Sequence, residues 1–388
     1  NLVYINICFV IKVELIMYRI IRQIKIIRIT LLFLFFFIFP HFFVIMYHGG
    51  RVMFKKLYEK IKNFIKLEYK FILFLVVFYV VCIWPVNYYI VIGGGISDIS
   101  SRVVVDEGYQ SKGSFNLSYV SELKGTTLSY LLSYVMPHWK RVSMNDYKYT
   151  EDEDYLDIEF RNTLDLQYSN SNAIYYAYQL AGKPCRLVDT KLYVIVSFDD
   201  YRNPLEVGDE ILKVNGNECS SLDDAQQELS KVSGNEVMVT ILRDGKEQDV
   251  TCKLYEEDDR KVLGVALQAV FSYDVDPKVE FHFEANESGP SAGLITTLSI
   301  YDQLTKKDLT KKLNIAGTGT IEADGSIGEI GEVEYKLLGA VQGDADVFLV
   351  PAGDNYKTCK KVAKEDKLDI KIIPVKTIED AVEKLEEL

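Results

Sequence analysis

Histidine and cysteine are scarce in this chain, at four and six residues in 388, and neither type is spaced to hold a metal. His41, His48, His138 and His282 stand apart, and Cys8, Cys82, Cys185, Cys219, Cys252 and Cys359 form no CxxC pair. A zinc centre and a dense disulfide framework are thereby excluded. Basic charge is also short: 44 Lys and Arg against 56 Asp and Glu leave a formal charge of -12, so a phosphate-neutralising surface for nucleic acid is not expected. No GxxxxGK[ST] phosphate loop occurs in these residues, and with it goes the expectation of an ATP-driven unfolding motor. What the chain does have is 48% hydrophobic and 26% charged residues, enough for two or three packed domains, and two almost purely apolar runs near its beginning.

The run Phe71 to Ile92 is about 20 residues long, which at the helical rise matches a bilayer's hydrocarbon core and predicts a transmembrane helix. Trp84, Tyr88 and Tyr89 suit its interfacial belt. Lys55, Lys56, Lys60, Lys62, Lys66 and Lys70 precede it, which places residues 53–70 as a basic cytoplasmic flank and the large C-terminal part outside the cell. The earlier run, Ile29 to Tyr47, conflicts with this topology, because basic clusters lie on both sides of it. Gly49 to Met53 back-translates to a ribosome-binding signal ahead of a start codon. Residues 1–52 are therefore read as an upstream extension, with an extra apolar segment as the alternative, and translation is expected to start at Met53.

From Leu192 onward short β-branched runs take over. Asn215-Gly216 and Asp244-Gly245 are hairpin signals, and Ser220 or Ser221 caps a helix whose Leu222, Ala225 and Leu229 share one face. The stretch LEVGDEILKVNGNECSSLDDAQQELSKVSGNEVMVTILRDGK resembles a PDZ domain, assigned here to residues 181–256. The resemblance implies a groove between a strand and a helix that binds an extended peptide by strand addition.

Further on, the alternating KVEFHFEA leads into Glu287-Ser288-Gly289-Pro290-Ser291-Ala292-Gly293 and a helical stretch. A small-residue turn thus delivers Ser291 to a helix N-terminus, where unpaired N–H groups can hold an oxyanion. Downstream, IAGTGTIEADGSIGEIGEVEYKLLGAVQGDADVFLVP alternates glycine turns with short strands before a helix carrying Lys336. Together these motifs resemble the proteolytic domain of Lon-type serine proteases. With the PDZ module and a single anchor they resemble the membrane-anchored PDZ-Lon proteases of Gram-positive bacteria, over most of the chain after Phe71.

The resemblance implies an α+β fold with the PDZ domain inserted into the protease domain. Residues 93–180 form its first part and 257–388 the part with the catalytic pair. It carries a Ser–Lys dyad onto Ser291 and Lys336, with Thr318 orienting the amine, and requires neither cofactor nor metal. The implied function is that of an ATP-independent, membrane-anchored serine endopeptidase, single-pass with its catalytic part extracellular. Its implied partners are a peptide or unfolded protein substrate, the membrane and, in a homo-oligomer, further copies of the chain, with no nucleic acid. The alternative is an inactive, membrane-tethered PDZ scaffold. His282 reads as a strand-face residue, and Glu151 to Asp154 as a solvated loop.

Overall fold

The computed structural model describes residues 51–285 and 287–388. The apolar run Ile29 to Tyr47 and the upstream extension up to residue 50 lie outside them. Helix α1 (Arg51–Ile83) falls outside the compact unit formed by Trp84–Leu388. It stops where it does because Pro85 has no N–H to continue the ladder and its ring drives Trp84 out of the helical region. The transmembrane helix expected over 71–92 is therefore not formed as such. Only Phe71 to Ile83 are helical and apolar, about 20 Å of rise against a core of about 30 Å. No described helix is long and apolar enough to cross a membrane.

The rest of that run is the opening of β1 (Pro85–Asp98), whose Ile90 and Val91 are fully buried in the second unit, Trp84–Leu388. A run rich in Val, Ile and Tyr serves equally well in a central strand covered on both faces. There follow β2 (Val103–Val105), β3 (Ser114–Thr126), α2 (Thr127–Leu132), β4 (Lys140–Ser143) and the long α3 (Tyr155–Leu180). Asp154 caps α3 by accepting the N–H groups of Leu156 and Asp157. Glu153 beside it is no solvated loop residue: it is buried, paired with Arg161 of α3 and bonded to the N–H of Tyr149.

An antiparallel sheet comes next: β5 (Cys185–Ser197), β6 (Glu210–Val214), β7 (Asn217–Glu218), helix α4 (Leu222–Lys231), β8 (Glu236–Arg243), β9 (Lys246–Lys253), the hairpin β10 (Tyr255–Glu257) and β11 (Arg260–Val262), and β12 (Val265–Val275). The strand order is β12-β5-β6-β8-β9, with β7 on β6. Asn215-Gly216 and Asp244-Gly245 make the two tight turns, all four residues at positive φ, and Ser221 caps α4. Val194, Ile211, Val239, Ile241 and Cys252 form the core of this sheet with Ala225 and Leu229 of α4. The sheet does not end at residue 256: β12 pairs with β5 from Val265↔Ser197 to Val275↔Cys185, so the entering and leaving strands form one ribbon.

Beyond the ribbon lie β13 (Val279–Phe281), α5 (Gly293–Leu304), β14 (Asn314–Gly317), β15 (Thr320–Ile321), β16 (Ile327–Gly328), α6 (Val333–Gln342), β17 (Val347–Pro351), α7 (Asp354–Glu365), β18 (Lys371–Val375) and α8 (Ile378–Glu386). The principal sheet runs β18-β17-β14-β3-β1-β4. Its pairs are parallel from β18 to β3 and antiparallel where β1 joins β3 and β4. Ile315, Val347 and Leu349 face a core shared with Leu294, Leu298 and Ala381, while Ala316, Phe348 and Val350 face Leu337, Ala340 and Cys359. Burial on both faces explains why these strands read as unbroken apolar runs.

Candidate active site

The turn before α5 is held from three sides. Gly289 sits at φ 84°, a region that disfavours a side chain, and its N–H bonds to the carbonyl of Asn162 at 2.9 Å. Ser169 of α3 donates to the carbonyl of Pro290 at 3.1 Å, and Gly319 donates its N–H to the carbonyl of Ser291 at 2.9 Å. No side chain caps the turn Pro290–Ala292 or the start of α5. Backbone N–H groups beside Ser291 are thus available to an incoming oxyanion.

Lys336 arrives from the other face of the sheet on α6, which packs across β1 and β3. Gly339 makes that packing close: a Cβ there would stand 2.9 Å from the backbone nitrogen of Gly95. Ser118 of β3 donates to the carbonyl of Lys336 at 2.6 Å and fixes the helix turn that carries it. The lysine reaches past the end of β14 to place Nζ 2.7 Å from Ser291 Oγ and 3.2 Å from Thr318 Oγ1. Thr318, wholly buried, donates in turn to the carbonyl of Ser291 at 3.2 Å. The structure therefore brings together Ser291, Lys336 and Thr318.

The electrostatics follow from this placement. Lys336 is only 6% exposed, and burial lowers its pKa to about 8, against the opposing pull of Glu122 and Glu332. Glu332 is itself bound by Lys140 through both oxygens, at 2.8 and 3.0 Å. Glu122 accepts the Tyr147 hydroxyl at 3.0 Å; crowding at its carboxyl end raises its pKa, although the side chain as a whole is open to solvent. A lysine near 8 has an appreciable neutral fraction at physiological pH, so it can accept the proton of a hydroxyl 2.7 Å away.

A serine at an uncapped helix start, in contact with a buried lysine of lowered pKa, is an arrangement able to support Ser–Lys dyad chemistry. Residues 278–386 match the family model of the Lon protease (S16) C-terminal proteolytic domain, and residues 186–254 match that of the PDZ domain. The chain thus carries a Lon-type proteolytic domain together with a PDZ domain. Lon protease from Neorickettsia sennetsu is 36% identical over 97 residues, 25% of this chain and 11% of its own length. Lon protease from Xanthomonas oryzae pv. oryzae is 34% identical over 97 residues, with the same two shares, 25% and 11%. Lon protease from Campylobacter concisus is 29% identical over 168 residues, 42% of this chain and 20% of its own length. The chain accordingly spans between 11% and 20% of the length of these relatives. Among solved structures, the PDZ domain of the SdrC-like protein (Lmo2051) from Listeria monocytogenes is 25% identical. It covers 20% of this chain and 85% of that one at a TM-score of 0.18.

Sequence reasoning did not find Ser118, Asn162, Ser169 or Glu122. The first three act on backbone carbonyl or N–H groups and carry no motif; Ser118 is 218 residues from Lys336, and Ser169 is 121 from Pro290. His282 stands apart from the dyad, 3.3 Å from Glu280 on an exposed face.

Proposed function

We propose that the chain is an ATP-independent serine endopeptidase acting through Ser291 and Lys336. The observation that carries this reading is the 2.7 Å contact between Lys336 Nζ and Ser291 Oγ inside a buried site. Neutral Lys336 takes the Ser291 proton as Oγ attacks the peptide carbonyl, and backbone N–H groups of the turn hold the oxyanion. The ammonium then returns its proton to the leaving amine, releasing it and leaving an acyl-enzyme. Water, deprotonated by the same lysine, hydrolyses the ester and restores the hydroxyl. Labelling by a serine-reactive fluorophosphonate tests this: wild type should react at Ser291, Lys336→Ala should react far more slowly, and Ser291→Ala not at all. A scaffold with no catalytic role would leave all three unlabelled.

The proposal extends to substrate handling and location. Helix α4 lies beside the turn from Lys261 to Val265, where its Gln226 donates to the Lys261 carbonyl at 3.1 Å, and β12 runs from that turn at the free edge of its sheet. A peptide added to β12 there would lie along the ribbon that leads back to the protease sheet. Attachment to the cell membrane, with the catalytic part outside, is part of this proposal; α1 exposes Phe71, Phe74 and Phe78, an apolar surface that can enter lipid without crossing it. Protease shaving of intact cells tests this location: the C-terminal part should be lost from the cells and a fragment containing α1 should stay with the membranes.

A further inference from the structure

Strand β3 outruns its neighbour beside the dyad. It pairs with β14 only from Ser114 to Leu117, where β14 ends and Thr318 turns towards Ser291. From Tyr119 to Thr126 it keeps β1 on one side, and among the described residues no strand pairs with the other. An unpaired strand edge therefore projects past the reacting atoms. Phe115 and Leu117 face the core beneath α5, whereas Ser118 faces α6 and holds the Lys336 carbonyl. By the two-residue period of a strand, Val120 and Glu122 continue on the Ser118 face, which carries Glu122 beyond Lys336 at the open end of the site. Tyr147 steadies its carboxyl at 3.0 Å. Its neighbour Glu332 is matched by Lys140, but among the described residues no Lys or Arg forms an ion pair with Glu122.

We propose that Glu122 selects the substrate by charge: a peptide added along the free edge of β3 is preferred when it presents a basic side chain to this carboxylate beside the scissile bond. This rests on the peptidase reading. An added strand alternates its side chains as β3 does, so one face of the peptide meets the Ser118–Glu122 row and the other faces away. Lys140 disfavours a second basic group near Glu332, which leaves Glu122 as the carboxylate still to be matched. An ion pair at such a half-open site discriminates mainly in binding.

The test is a series of internally quenched peptides with Arg, Gln or Glu at each of the four positions around the cleaved bond, with the full chain. At one of these positions wild type should cleave the Arg peptide with kcat/KM about fivefold above the Glu peptide, the gap lying in KM and shrinking in 1 M salt. Glu122→Gln should flatten the preference and Glu122→Lys should reverse it, each read as the Arg-to-Glu ratio within one variant at whatever overall rate that variant has, and all cleavage should be absent in Ser291→Ala. A preference unchanged in Glu122→Lys, with cleavage intact, overturns the charge assignment and leaves the peptidase standing. No cleavage of any peptide by wild type overturns both.

Discussion

Lys336 is held in a place that disfavours its charge, and this has a measurable consequence for stability. The drop from 10.5 to about 8 on folding means that between these values the unfolded chain binds more protons than the folded one, so stability rises with pH across that window. Below about pH 8 the folded protein carries the full penalty, about 3 kcal/mol by this shift. Lys336→Met should therefore stabilise the protein at pH 7 by up to about 3 kcal/mol in urea denaturation while abolishing cleavage. A destabilised Lys336→Met would mean that the lysine is a structural anchor. Thr318→Val removes a hydroxyl from Lys336 Nζ and from the Ser291 carbonyl while preserving shape. It should lower kcat about tenfold with little change in KM, as expected for a group that orients the base.

The packing of α6 on β1 and β3 decides where the lysine points. Gly339→Ala would press a methyl against the backbone of Gly95, which cannot rotate away, and α6 must shift instead. A cost of about 1–3 kcal/mol is expected, and since displacement of a catalytic group is costly, kcat should fall at least tenfold while KM holds; equilibrium denaturation and steady-state kinetics measure both. At this level the sequence was readable where glycine turns and a helix carried one motif, so Ser291, Lys336 and Thr318 could be named together. It was misleading where hydropathy alone spoke. Phe71 to Ile92 is half helix and half central strand, and an apolar run does not say whether lipid or two protein layers will cover it. Pro85 marked the division. The clamps Ser118 and Ser169 were hidden because they bind backbone groups from strands and helices far away in the chain.

The two six-stranded sheets of the second unit are joined by the β5–β12 ribbon, and α3 touches both: Ser171 donates to the Phe271 carbonyl of β12 at 2.6 Å, and Ser169 holds Pro290 before α5. Because Leu192 pairs with Ala269, the PDZ domain can be cut out by joining these two through an Asn-Gly turn, which keeps the Ser171–Phe271 contact. If the module acts by capture, a minimal peptide should be cleaved within about twofold of wild type and a longer substrate should show a raised KM with kcat unchanged. Loss of all cleavage in a folded variant would instead make the module a brace for the nucleophile turn.

The proposed mechanism makes chemistry at Ser291 depend on the neutral form of Lys336, and single-turnover acylation measured against pH reports this most directly. The rate should rise with pH through a single inflection near 8, where the lysine loses its proton, and should vanish in Lys336→Ala across the whole range. An inflection near the histidine value of about 6.5, or acylation that survives in Lys336→Ala, would contradict the dyad.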